Sequence, residues 1–481
     1  MTGSRPPIGW VHYLRRMLLS VCLTLVATVA VGAPPLERTA TLQGEWSELT
    51  LQPSATGPQF GASLAADQSW LAVGAPDLNI LTQDLMTHTI GAVFLFRYSQ
   101  GQWQRVTRLM PPSNSLDSRC GASVALKIPY LAVGCPGGSD PEGSPTADGM
   151  VVIYRWIGHQ SWTIDQVIAP GTVTHCGTAV DLSAPDPLNG SVVLAIGCPG
   201  WTSQVGQARV WRLDATLNEW QHQATLTGSV AETDRAFGSQ ISLYRARLGP
   251  VIVQRLAVGG RMFQNGKGML AVFEGGSWTE TVLWAGGAPG EHFGDGLVML
   301  GSQLLIAAPG SPGGEDCADQ PLLHCGRVHR ARREAGEWSL HSSGEPININ
   351  GNPSGIQPMS EFGSALAVGM GNLVAIGAPG TDGWSVSVPP GLAEDVGTVE
   401  LRRAPDGMLG LTDQDYVGEI QPGAIFPGNA LTQGRFGQAL AFGPDYLAVG
   451  YPGAGHPDTG REGAVWIYRL GDQLFADRFE P

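Results

Sequence analysis

The sequence predicts an all-β fold: a seven-bladed β-propeller of four-stranded antiparallel blades, closed by an N-terminal strand. Three observations carry the prediction. A unit of four short apolar runs recurs seven times along the chain. Glycine makes up 67 of 481 residues, about twice its usual share, while charged residues are only 15%. Finally, the last unit lacks a fourth strand, and a strand-like segment precedes the first unit with no unit of its own.

The first unit begins Phe60-Gly61-Ala62-Ser63-Leu64 and continues as Leu71-Ala72-Val73-Gly74-Ala75-Pro76. A third run, Gly91 to Phe96, and a fourth, led by Trp103, complete it. Unit starts recur at Cys120, Cys176, Phe237, Phe293, Phe362 and Phe436, each followed by glycine, at spacings of 60, 56, 61, 56, 69 and 74. Each run is β-branched or apolar and is closed by Gly or Pro, which reads as a strand. Four strands per unit and seven units fit blades arranged around an axis. Units 5 and 6 depart most: Gly326-Arg327-Val328-His329-Arg330 makes a polar third run, and unit 6 has no leading Trp in its fourth.

Closure follows from the two ends. After Leu470 no Trp-led fourth run remains, while Trp46-Ser47-Glu48-Leu49-Thr50-Leu51 resembles Trp103 to Leu109 and Trp220 to Leu226. The Trp46 segment is therefore expected to pair with Val465–Tyr468 and hide the edge of blade seven. Residues 34–470 then form one closed propeller.

These ordered motifs resemble the FG-GAP repeat family, the units of the integrin alpha-chain propeller. The nearest variant carries a Trp-led fourth strand and occurs in bacterial secreted proteins. The resemblance spans about residues 46–470. It implies a cell-surface or secreted interaction module, cell adhesion among its roles, with calcium as the family cofactor.

The N-terminus reads as a secretory signal over residues 1–33. Arg15 and Arg16 precede an apolar run, Met17 to Val31, that is short for a membrane span, and Ala30 or Ala33 offers a cleavage site. Export to the periplasm, cell surface or medium is the expectation, with no integral membrane domain after cleavage. At the other end, residues 471–481 form a short tail. Leu474 to Glu480 resembles the I-F-x-D-G-F-E tails of secreted Gram-negative proteins, with Arg478 where Gly is usual. The formal net charge of −14 argues against nucleic acid and anionic lipid as partners.

Antiparallel hairpins place the Phe-Gly and Ala-Pro motifs at one end of the ring, with the loops joining strands two and three. Those loops have 14, 12, 6, 7, 16, 17 and 10 residues in units one to seven. The long ones, together with the links His341–Glu361 and Thr412–Arg435, build up the sector of units 5, 6, 7 and 1. Long loops on a rigid scaffold commonly carry binding. The expected function is non-catalytic capture of a protein or glycan through this face. Its candidate residues are Trp384 and Tyr416, with the acidic residues Glu315, Asp316, Glu394, Asp395 and Asp458. Two other functions stay open: a polysaccharide hydrolase or lyase, and a structural module of an envelope assembly.

No G-x-S-x-G, H-E-x-x-H or C-x-x-C motif is present, so no catalytic residue is assigned. In calcium-binding units of the resembled family an Asp-rich D-x-D/N-x-D-G loop joins strands one and two. Here that connection is Ala65 to Trp70 in unit 1 and Gly369 to Asn372 in unit 6, too poor in oxygen ligands for calcium. Unit 3 comes nearest, with Asp181, Asp186 and Asn189, but Pro185 and Pro187 interrupt the spacing. No cofactor is therefore predicted.

The cysteines follow the repeat. Units 2 and 3 replace the opening Phe by Cys120 and Cys176, and the same two units replace the Ala of Gly-Ala-Pro by Cys135 and Cys198. Both positions lie at one end of adjacent strands, which predicts Cys120–Cys135 and Cys176–Cys198 disulfides. Cys317 and Cys325 then pair within the unit 5 loop. Buried free thiols or zinc ligation are the alternatives.

Overall fold

The computed structural model describes residues 36–44 and 57–470, apart from 82–86, 113–115, 138–148, 159–160, 170–174, 201–204, 215, 231, 233–234, 312–324, 345–359, 382, 386–390, 394, 404–410, 412–414, 423–433 and 457–459. It is a seven-bladed β-propeller of seven four-stranded antiparallel sheets. Blade one runs Ser63–Asp67, Trp70–Ala75, Ala92–Ser99 and Gln102–Leu109, from the axis outward. Blades two to six repeat that order. The innermost strands touch in sequence around the axis, and Ser63–Asp67 of blade one meets Leu440–Phe442 of blade seven, so the ring is closed.

Local chemistry explains the strand types. The second strand of each blade is sandwiched between neighbouring blades and reads as a continuous apolar run; Trp70–Ala75, Tyr130–Cys135 and Tyr446–Tyr451 are buried throughout. The outermost strand alternates, as in Glu219–Leu226, because one face meets solvent. Each outermost strand carries a register shift at the same place against the third strand, in all seven blades. Such bulges increase the local twist, which suits a sheet at the rim of a propeller.

Glycine sets the spacing between blades. A Cβ on Gly74 would stand 2.1 Å from the carbonyl oxygen of Gly121 in the next blade, so backbone approaches backbone there without a side chain. In six of the seven blades the glycine opening the third strand also bridges the residue opening the next blade, among them Gly91 to Cys120, Gly149 to Cys176, and Gly463 to Phe60 across the closure.

The closing strand differs from the expected one. Leu36–Leu42 pairs antiparallel with Ala464–Leu470 and completes blade seven. The other edge of Ala464–Leu470 is taken by Tyr446–Tyr451, so no place remains there for the Trp46 segment, which lies outside the described residues. The reason is register. Leu42 faces Val465 as Leu109 faces Val93 and Leu226 faces Ala208. The buried apolar residue at the end of the strand fixes the pairing, whereas the Trp used as a marker sits six residues earlier, where this strand has Leu36.

The two predicted disulfides are present. Cys120 joins Cys135 with Cα atoms 4.0 Å apart, and Cys176 joins Cys198 at 3.9 Å. Each ties the first strand of its blade to the second at the motif-bearing end. Cys325 is also disulfide-bonded, and its expected partner Cys317 lies outside the described residues.

The weak third strand of unit 5 also has an explanation. His329 packs edge-on against Phe293 with centroids 5.3 Å apart, as Phe94 packs against Phe60 at 5.3 Å. Burial holds the His329 imidazole down to a pKa of about 4, so at neutral pH it serves as an uncharged ring. Among the described residues no helix is long and apolar enough to cross a membrane. The signal-like residues 1–33 and the tail 471–481 lie outside the described residues.

Candidate functional site

The most organised polar feature is the axial mouth at the motif-bearing end. It is built by the turn that opens each blade. The residue before the Phe-Gly or Cys-Gly pair is in the left-handed region in all seven blades: Gln59, Arg119, His175, Ala236, His292, Glu361 and Arg435, with φ between 51° and 62°. Its carbonyl accepts a hydrogen bond from the amide three residues on, as in Asp295 N to His292 O at 3.1 Å and Ser364 N to Glu361 O at 3.0 Å. None of the seven is glycine, although glycine takes this conformation without strain. Non-glycine residues held in that region cluster at functional sites.

Blades four to seven and the start of blade one enclose a cavity of about 540 Å³ at this mouth. Its lining includes His292, Asp295, Glu361, Ser364, Arg435 and Gln438, with Arg261 beside them. Glu361 and Arg435 form an ion pair at 2.5 Å, and Arg435 Nε also donates to Gln438 Oε1 at 3.1 Å. Asp295 accepts no side-chain hydrogen bond among the described residues. Burial pushes its carboxyl up to a pKa of about 6, opposed by the Arg261 charge and reinforced by that of Glu361. The mouth thus offers one neutralised ion pair, one uncommitted carboxylate, an exposed guanidinium and several amide and hydroxyl groups.

The described parts of the loops between strands two and three lie at this end of the ring. In blades one, six and seven they form small two-stranded ribbons: Asn79–Leu81 with Thr87–Thr89, Gly383–Ser385 with Gly391–Ala393, and Gly455–His456 with Gly460–Arg461. The long loop of blade five lies mostly outside the described residues.

The candidate residues from sequence distribute as follows. Trp384 is in the blade-six ribbon, and its side chain lies outside the described residues, as do Glu315, Asp316, Glu394 and Asp458 entirely. Asp395 is half-buried and borders the mouth, where its carbonyl accepts from Arg435 N at 2.9 Å. Tyr416 is not on this face. It opens the outermost strand of blade six, Tyr416–Ile420, and pairs with Arg402 toward the opposite end. Burial raises its hydroxyl pKa above the usual value. The expected link from Thr412 to Arg435 thus contains the fourth strand of unit 6, which needs no Trp because Ile420 supplies the buried apolar residue at its end.

Asp181, Asp186 and Asn189 do not converge as ligands. Asp181 lies in the innermost strand of blade three and accepts from Leu243 N of blade four at 2.7 Å. Asp186 accepts from Arg247 Nη2 at 2.8 Å and Arg247 Nε at 3.1 Å, and these bonds hold its carboxyl down to a pKa of about 2. Asn189 accepts from Ser191 N at 3.0 Å within its own turn. Among the described residues no group of three or more His, Cys, Asp or Glu side chains is placed to hold a metal ion.

Sequence reasoning passed over the residues of the mouth. Their signal was a column in the repeat: the position before each Phe-Gly or Cys-Gly is polar in six of seven units. No known family model matches the chain, and no curated protein matches it in sequence.

Proposed function

We propose that this chain is an exported, FG-GAP-type interaction protein that captures a protein or glycan, without catalysis, at the motif-bearing end of its propeller. The contact centre is the axial mouth of blades four to seven, flanked by the loops of units 5, 6, 7 and 1. The observation that carries this reading is the recessed cavity with the uncommitted Asp295 carboxylate among the left-handed residues His292, Glu361 and Arg435. A concave site with a few convergent polar groups is the usual form of a ligand pocket. Recognition here rests on side chains and needs no calcium.

The test is a glycan-array and pull-down screen of the protein, with and without calcium. A ligand retained by the wild type should bind about tenfold or more weakly after Asp295→Ala or Gln438→Ala, with no fall in melting temperature, and EDTA should leave binding intact. Binding indifferent to both substitutions would remove the mouth from consideration. A second reading rests on the same cavity. Asp295 and the ion-paired Glu361 are two carboxyl groups whose environments differ, an arrangement that polysaccharide-cleaving enzymes employ. Release of reducing ends from a polysaccharide, abolished by Asp295→Asn, would favour it over simple binding.

A further inference from the structure

A second concave feature lies far from the axial mouth, in the outer wall where blade seven meets blade one. It is a cleft of about 470 Å³ bounded by the closing strand (Thr39 to Leu42), Tyr98, Gln102, Trp103, Asp445 and Arg469. Its aromatic wall departs from the repeat. In blades two to five the Trp that leads the outermost strand is buried against the preceding blade: Trp162, Trp220, Trp278 and Trp338 are each 9% exposed or less. Two of these spend their indole N–H on a carboxylate of that blade, Trp220 donating to Asp165 Oδ2 at 3.1 Å and Trp338 to Glu274 Oε1 at 2.9 Å.

Trp103 occupies the same position in blade one but is only half-buried, and its indole N–H donates to no partner among the described residues. The ring is nonetheless held firmly. Tyr446 of blade seven meets it edge-on at 4.8 Å, and the Tyr446 hydroxyl donates to Trp70 O at 3.2 Å. Tyr98, 42% exposed, extends the platform, its centroid 5.5 Å from that of Trp103 at an interplanar angle of 51°. Exposed polar side chains of Gln102, Asp445, Arg469 and Thr41 edge the cleft.

We infer that this cleft is a carbohydrate-binding site, taking a pyranose unit of a neutral oligosaccharide. A pyranose presents C–H groups on one face and hydroxyls around its rim. The C–H face suits a fixed aromatic platform, and aromatic rings with a polar tip serve surfaces that are part apolar and part wet. The hydroxyls both donate and accept, so they match the carboxylate of Asp445, the guanidinium of Arg469, the amide of Gln102 and the free indole N–H together. Opposed charges edge the cleft, which favours a neutral ligand over a strongly charged one. Because the platform is packed before binding, little ordering opposes capture. The site is independent of the axial mouth, since it lies on the outer wall and shares no lining residue with it.

The test is tryptophan-fluorescence and calorimetric titration of the protein with cellohexaose, mannohexaose, xylohexaose and chitohexaose. At least one should shift the emission saturably. Tyr98→Ala should weaken that oligosaccharide about tenfold with an unchanged melting temperature. Trp103→Phe, which keeps an aromatic face but deletes the N–H, should weaken it less than Trp103→Ala. Asp295→Ala should leave it unaffected, which separates this site from the mouth. Absence of a saturable shift with all four oligosaccharides, or binding that survives both Tyr98→Ala and Trp103→Ala, would overturn the inference.

Discussion

Seven side chains at the axial mouth are held in a left-handed backbone conformation that costs each of them on the order of 1 kcal/mol relative to glycine. The turn hydrogen bond stabilises the conformation in all seven, joined by the inter-blade bridge in six, so residue identity at this position is free to vary: Gln, Arg, His, Ala, His, Glu and Arg all occur. Asp295, three residues beyond one of them, is the titrating group of the mouth. Its native pKa, near 6, lies above the ordinary carboxylate value of 3.8. The native state therefore favours the protonated form, a preference fully expressed below 3.8 and lost as pH rises through 6. Asp295→Asn is expected to match the wild type at pH 4 and to exceed it by about 1 kcal/mol at pH 8, after allowance for solvent screening. Urea midpoints at the two pH values measure this; a variant less stable than wild type at pH 8 contradicts the assignment.

At the scale of the element, the first two strands of a blade are joined at the motif-bearing end in more than one way. Blade one packs Phe60 and Ala75 there, both fully buried, and blade two uses the Cys120–Cys135 bond. The equivalence predicts that Cys120→Phe with Cys135→Ala retains most of the stability. Cys120→Ser with Cys135→Ser should lose about 2–4 kcal/mol, because it removes the cross-link and leaves polar groups in an apolar site. Thermal melts of both double variants, with non-reducing peptide maps of the parent, decide the matter. These pairs were legible in sequence because the repeat aligned them and alternation placed them side by side. The closing strand was not, because Trp46 mimicked a marker that contributes packing at the rim rather than register. Ala40-Thr41-Leu42, matching Ala224-Thr225-Leu226, carried the true signal. Tyr416 was misplaced for a related reason: a strand without its Trp reads as part of a loop. The mouth stayed hidden because its residues come from separate blades, and only the closed ring brings His292, Glu361 and Arg435 to one cavity.

For the whole molecule, the ring is as strong as its seam. Blade seven borrows its fourth strand from the other end of the chain, and Arg38 stacks over the Trp466 ring at 4.4 Å. Deleting residues 34–44 should leave Ala464–Leu470 as a bare hydrophobic edge, lower the melting temperature and promote aggregation. A synthetic peptide spanning residues 34–44, added to the deleted protein, should restore much of the loss, since the missing element is one strand. Calorimetry with and without the peptide, alongside light scattering, tests both statements. A deleted protein that melts like the intact one would mean that the seam is dispensable.

The seam also orders events in time. The Thr39 hydroxyl donates to Ile467 O across 428 residues of chain. At ordinary rates of protein synthesis that stretch takes roughly 20–90 s to make. Throughout that interval the earliest strand of the propeller exists without its mate, while the inner blades are free to form around it. The ring therefore cannot close until Ala464–Leu470 has been made, and what shelters Leu36–Leu42 in the meantime governs how much of the chain reaches the closed state.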